Sequence, residues 1–241
     1  MGTTFFQLAS GNYTQDWANA GLITANDDWS GVANIIGFRG DGLTGSTGTD
    51  PRTILADGSG TPIDVIANQS ATTLSTGGIA EFDGIANPVI AFQGSGTADA
   101  PHLVFHIDAT GRSNIQFDAL LRDLDTDPAV QPVAFQYRVG TTSDFTNVDS
   151  TFVADANNGG TTAVSFVLPA DTEGQPQVQI RAITTNAVGG DTFIGIDDIV
   201  ISSDPGLPVH LTENFNDFTG AGFAPVPTAG RFDSDDYIVA G

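Results

Sequence analysis

The chain has 241 residues, with 7 basic against 29 acidic side chains and a formal net charge of −22; all seven basic residues are arginine, and there is no cysteine. A surface this acidic repels nucleic acid, whose binding needs a basic patch to displace counterions, and it repels anionic membranes. Without cysteine there is no disulfide framework, and without lysine no Lys–Asn isopeptide crosslink can form. No apolar run reaches the roughly 18 residues that a membrane helix needs.

The opening "MGTTFFQLAS" lacks the basic and apolar regions of a signal peptide, which leaves a removed leader or another export route. The next block, "YTQDWANAGLITANDDWSG", carries Trp17, Trp29 and the carboxylates Asp16, Asp27 and Asp28. Residues 40–80 are dense in Gly, Thr, Ser and Asp, with short apolar pieces at Ile54–Leu55 and Ile63–Ile66. They read as a long ordered excursion over one sheet or edge.

Helical periodicity is nearly absent from the rest. Period-two segments recur instead: "HLVFHI" at 102–107, "NIQFDALL" at 114–121, "VAFQYRV" at 133–139, "VSFVL" at 164–168 and "VQIRAI" at 178–183. Turn clusters such as "DATGRS", "DANNGG" and "TNAVGGD" separate them. Roughly ten to thirteen such strands predict an all-β fold, an antiparallel β-sandwich of the jelly-roll kind. His102 and His106 share one strand face with Val104 and form a weak metal pair at most. "RDLDTDP" at 122–128 offers Asp123, Asp125 and Asp127 at alternate positions, but Pro128 and Ala134 stand where an EF-hand loop needs Gly and Glu. It is a looser calcium-binding turn or a solvated acidic hairpin.

"FIGIDDIVISS" at 193–203 sets two carboxylates inside an apolar run. Strict alternation places Asp197 with Phe193, Ile199 and Ile201, and Asp198 with Ile194, Ile196 and Val200, so one carboxylate enters apolar surroundings. An arginine such as Arg138 or Arg181, backbone N–H groups or a cation must answer it. Acidic oxygen ligands without cysteine favour Ca²⁺. First and last strands of jelly rolls lie close, so the expected metal set is Asp197 and Asp198 with Asp16, Asp27 and Asp28.

The linker "SSDPGLPVH", 202–210, closes a first domain, 1–204, with 205–210 as the joint. Residues 211–241 then repeat the opening block: Thr212-Glu213-Asn214-Phe215 matches Thr14-Gln15-Asp16-Trp17, and Ser234-Asp235-Asp236-Tyr237 matches Asn26-Asp27-Asp28-Trp29. So short a segment cannot build its own core, and it is either a strand donor to a neighbouring subunit or part of a longer array. Because Trp17 and Trp29 sit in the repeated blocks, they are expected to pack inside rather than to stack on sugars.

Two resemblances follow from these residues. The "NDDW" block and the closing "GIDDIVIS" strand resemble MAM-type and carbohydrate-binding jelly rolls. Over 5–204, "RDLDTDPAVQPVAFQYRVG" and "RAITTNAVGGDTFIGIDDIVIS", followed by "ENFNDFTGAGF", are similar to accessory domains of large secreted bacterial proteins, among them extracellular endonucleases, alkaline phosphatases and repeat-in-toxin calcium-binding proteins. The resemblance implies an extracellular or cell-surface location and a closing-strand Asp that helps hold a structural cation. No nucleophile elbow, zinc-helix, P-loop or dinucleotide motif occurs. The expectation is a non-catalytic, calcium-braced structural or adhesive sandwich that self-associates through 211–241; the alternative is a glycan-binding accessory module of a secreted hydrolase.

Overall fold

The computed structural model describes residues 4–57, 61–70, 74, 76–125 and 128–206. The chain divides into a compact unit, Met1–Leu207, and a second unit, Pro208–Gly241. The second unit, and with it the repeated block at 211–241, lies outside the described residues.

Among the described residues, twelve strands form two sheets. They are β1 (Phe6–Gln7), β2 (Tyr13–Gln15), β3 (Ile35–Phe38), β4 (Gly78–Phe82), β5 (Val89–Gln93) and β6 (His102–Asp108), then β7 (Arg112–Asp123), β8 (Ala134–Val139), β9 (Thr146–Asn147), β10 (Thr161–Val167), β11 (Val178–Ile183) and β12 (Ile194–Pro205). Sheet A runs β1-β6-β11-β8-β9, with β3 also on β6; sheet B runs β10-β7-β12-β5-β4, with β2 also on β12. Every pairing is antiparallel except β1 with β6. This is the expected β-sandwich, and the first block does meet the last strand, through β2 on β12.

One core fills the space between the sheets. Leu103, Phe105 and Ile107 of β6 and Ile180 and Ala182 of β11 face Ile115, Phe117, Ala119 and Leu121 of β7 and Ile194, Ile196, Ile199 and Ile201 of β12. Phe117 lies against Phe105, Phe135 and Phe166 with ring centroids 5.1–5.5 Å apart, geometry that adds aromatic contact to area burial. The excursion after β3 is ordered where described. Residues 62–64 run along β3, bonding Arg39 N–H to Pro62 O and Asp64 N–H to Gly37 O, and Ile66 runs along β4.

Candidate functional site: the β12 bulge and the carboxylates around it

The parity conflict in "FIGIDDIVISS" is resolved by one extra residue. Through Asp197, β12 pairs with β7 in one register (Ile196 opposite Leu121, Asp197 opposite Leu120); from Val200 the register has moved by one (Val200 opposite Asp118, Ile201 opposite Phe117). That is a β-bulge. Asp198 is the inserted residue, at φ 48° and exposed. Because of it, Ile199 and Ile201 return to the core face that Ile194 and Ile196 already occupy. Neither carboxylate enters the core.

Asp197 lies on the opposite face, where it is nevertheless 1% exposed. The group that answers it is Arg122, whose Nη1 donates to Asp197 Oδ2 at 2.8 Å. Asn87 Nδ2 donates to the same oxygen at 3.0 Å, and Asp198 N–H donates to Oδ1 at 2.9 Å. Of the expected partners, the arginine is Arg122 rather than Arg138 or Arg181, a diagonal cross-strand neighbour of Asp197 that stands opposite Gly195, and a backbone N–H, that of Asp198, joins it. Burial pushes the Asp197 carboxyl up, against the Asp198 N–H bond and the Arg122 guanidinium, which pull it down.

At the same bulge β12 changes its second neighbour, from β5 (Ile196 opposite Ile90) to β2 (Ile199 opposite Gln15). Trp17 closes that gap: its indole Nε1 donates to Ile196 O at 2.8 Å. Trp29 plays the same part elsewhere, donating to Asp64 O at 3.0 Å. Both tryptophans are buried, as are Tyr13 and Tyr137. Packing is their role, as the repeat implied.

The structure does not gather the five carboxylates expected around a cation. Asp16 Oδ1 caps Ala18 N–H, Asp28 Oδ1 caps Ser30 N–H, and Asp27 Oδ1 accepts from Val65 N–H. Asp27 belongs with Asp64, Asp41 and Arg39 rather than with Asp197. Asp64 is buried, and its Oδ2 accepts from Ile79 N–H at 2.6 Å; desolvation raises its pKa to about 6. Among the described residues no three His, Asp or Glu side chains are grouped as a metal could use them. The loop after β7 differs in one respect. Asp123 Oδ2 accepts from Gly159 N–H at 2.6 Å, but its Oδ1 is buried and has no hydrogen-bond partner among the described residues. Asp125 Oδ2 accepts from Phe193 N–H at 2.9 Å, and Asp127 lies outside the described residues.

On sheet A the face opposite the core carries His102 and His106 of β6, Gln179 and Arg181 of β11 and Gln136 and Arg138 of β8, matched across the strands. It is covered. Arg181, fully buried, donates to Gln136 Oε1 and to the carbonyls of Ile54 and Ala56. Arg138 bonds Asp57 and Gln179, and the two guanidinium carbons stand 4.1 and 4.0 Å from the Phe145 ring centroid. The excursion is thus pinned to the sheet by arginines. Burial, with the nearby Arg138 charge, brings Arg181 down to about 9 against the pull of the Asp57 and Asp144 carboxylates. His102 Nδ1 donates to Ala100 O and the ring stacks on Phe38; His106 meets Asn34 O and Phe5. Desolvation, first among the causes, lowers them to about 3 and about 4, so both rings are neutral at pH 7.

Neither a family model nor a curated protein matches the chain. Among solved structures, it is similar to a Stig cyclase from Fischerella sp. TAU at 11% identity and TM-score 0.42, covering 82% of this chain and 100% of that one. It is also similar to a carbohydrate-binding module specific for non-crystalline cellulose, CBM28, at 11% identity and TM-score 0.35, with 52% and 79% covered. A third is TmCBM61, solved with β-1,4-galactotriose, at 8% identity and TM-score 0.33, with 50% and 73% covered. At such identities and TM-scores no ligand or reaction transfers to this chain.

Proposed function

We propose that this protein is a non-catalytic structural module of an extracellular head-to-tail array, in which 211–241 serves as the opening block of a neighbouring sandwich whose own place for that block is open. One observation carries the reading. The positions that 211–241 repeats are anchors: Tyr13–Gln15 pairs with Ile199–Ile201, and Trp17 and Trp29 are buried with their indoles on backbone carbonyls. This sandwich already holds one copy there, so a second copy, with Phe215 and Tyr237 as anchors, fits only a sandwich whose own place is open. Removing residues 4–31 opens that place. The chain lacking 4–31 should then polymerise head to tail, and removing 211–241 as well should abolish the polymer. Polymers that persist without 211–241 would overturn the reading.

Calcium bracing belongs to the same proposal, now at the Asp123–Asp127 loop, where the unpartnered Asp123 Oδ1 is the supporting feature. A ligand at a hundredfold excess over Kd stabilises the native state by about 2.7 kcal/mol. Millimolar calcium should raise the melting temperature over EDTA, and Asp123→Asn should cancel the difference. Equal melting curves for the parent protein in the two buffers would end the calcium reading.

The sandwich plan also accommodates a second reading, a glycan-binding module. Since Trp17, Trp29, Tyr13 and Tyr137 are buried, recognition would have to use polar side chains rather than sugar stacking on those rings. A glycan array with the full chain separates the two readings.

A further inference from the structure

β10 is the outer strand of sheet B. Its ladder with β7 fixes which backbone groups face outward. Asp123 N–H donates to Gly160 O and Leu168 N–H to Ile115 O, so even-numbered residues occupy the hydrogen-bonded positions. The N–H and C=O groups of Thr161, Ala163, Ser165 and Val167 therefore point away from the sheet, and no backbone hydrogen bond reaches them among the described residues. All four residues are exposed. Proteins blunt such edges with Lys, Pro, inward charges, bulges or a covering chain. "TTAVSFV" has no charge and no proline, and its register with β7 is unbroken. The other edges of the described sheets are managed: residues 62–64 cover β3, Ile66 covers β4, β1 and β9 have two residues each, and β2 has three.

We propose that β10 is a strand-addition surface whose occupant is β10 of a second copy, antiparallel about Val164. The strand is complementary to itself in that register. Thr161 meets Val167 and Ala163 meets Ser165 on the outer face; Thr162 meets Phe166 and Val164 meets Val164 on the inner one. The outward groups of the four odd-numbered residues then pair with one another, and sheet B continues from one copy into the next. Charge agrees as well. On β7, Asp118 lies behind Ser165, Leu120 behind Ala163, Arg122 behind Thr161 and Gln116 behind Val167. Each rung across the joint therefore sets Asp118 against the other copy's Leu120, and Arg122 against its Gln116, so no like charges share a rung despite the net charge of −22. The contact is isologous and closes as a dimer. One strand pair falls short of the roughly 1,600 Å² of a standard interface, so the dimer depends on concentration.

The full chain has no cysteine, so Val164→Cys puts a single thiol at the two-fold axis. There the pair is non-hydrogen-bonded, with Cα atoms about 4.5 Å apart and within disulfide reach. Mild oxidation should link Val164→Cys into dimers about tenfold faster, or more, than Val188→Cys on an exposed loop, because pairing raises the local thiol concentration. Ser165→Pro removes an outward N–H and leaves the β7 ladder intact. It should lose the concentration-dependent dimer in sedimentation velocity, and Ala163→Lys should do the same if Pro disturbs folding. Equal cross-linking of the two cysteine variants, or a dimer that survives both Ser165→Pro and Ala163→Lys, overturns the proposal. Neither result bears on the role of 211–241.

Discussion

Asp197 and Asp64 are the two carboxylates whose surroundings matter most at the residue scale. Asp197 has a guanidinium, an amide and a backbone N–H as partners, so removing the guanidinium strands a buried charge. Arg122→Ala should cost about 3 kcal/mol in chemical denaturation. Asp197→Asn, which keeps an acceptor, should cost less. Asp64 has no direct cationic partner in the described structure and sits near Asp27 and Asp41. Its folded pKa of about 6 exceeds the unfolded value of about 3.9. The stability it contributes is therefore complete below the unfolded value and is lost as pH rises through 6. Thermal melts from pH 4 to 7 should show Asp64→Asn gaining on the parent protein as pH rises. A gap between the two that stays constant across that range would contradict the assignment.

At the scale of elements, β12 shows what was legible in the sequence and what was not. The alternating segments that became β6, β7, β8, β10 and β11 announce themselves, because one face of each is core and the other is not. β4 and β5 do not: "GIAEF" and "VIAFQ" are short and set apolar residues on both faces, so they carry no period. β12 misleads more subtly. A bulge breaks the alternation on which the reading depends, and no residue type marks it, since Asp198 adopts φ 48° without being glycine. The candidate site suffered for the same reason. Arg122 became visible as the partner of Asp197 only once the β7–β12 register was known, and Asn87 comes from the loop before β5. The acidic repeat block was legible as packing, because its tryptophans recur as aromatics. Deleting Asp198 would remove the bulge and restore strict alternation with Ile199 and Ile201 still on the core face, so the chain should still melt cooperatively; loss of cooperative melting would contradict the bulge assignment. Asp198→Gly, relieved of its Cβ at positive φ, should be neutral or stabilising by under about 1 kcal/mol.

At the scale of the whole molecule, an acidic β-sandwich is followed in sequence by a segment that resembles its own opening block. Nothing in the described part of the chain resembles an acid–base centre: His102 and His106 are buried, neutral and tied to backbone carbonyls. The face of sheet A on which such centres or ligands could sit is taken by residues 51–57, bound through Arg181, Arg138 and Gln136. The most direct measurement is complementation: a chain lacking both 4–31 and 211–241, melted with and without a synthetic peptide of residues 211–241. The account predicts that the peptide raises the melting temperature in a saturable manner, that Phe215→Ser with Tyr237→Ser in the peptide abolishes the effect, and that the chain retaining 4–31 does not respond. A melting curve indifferent to the peptide would contradict it.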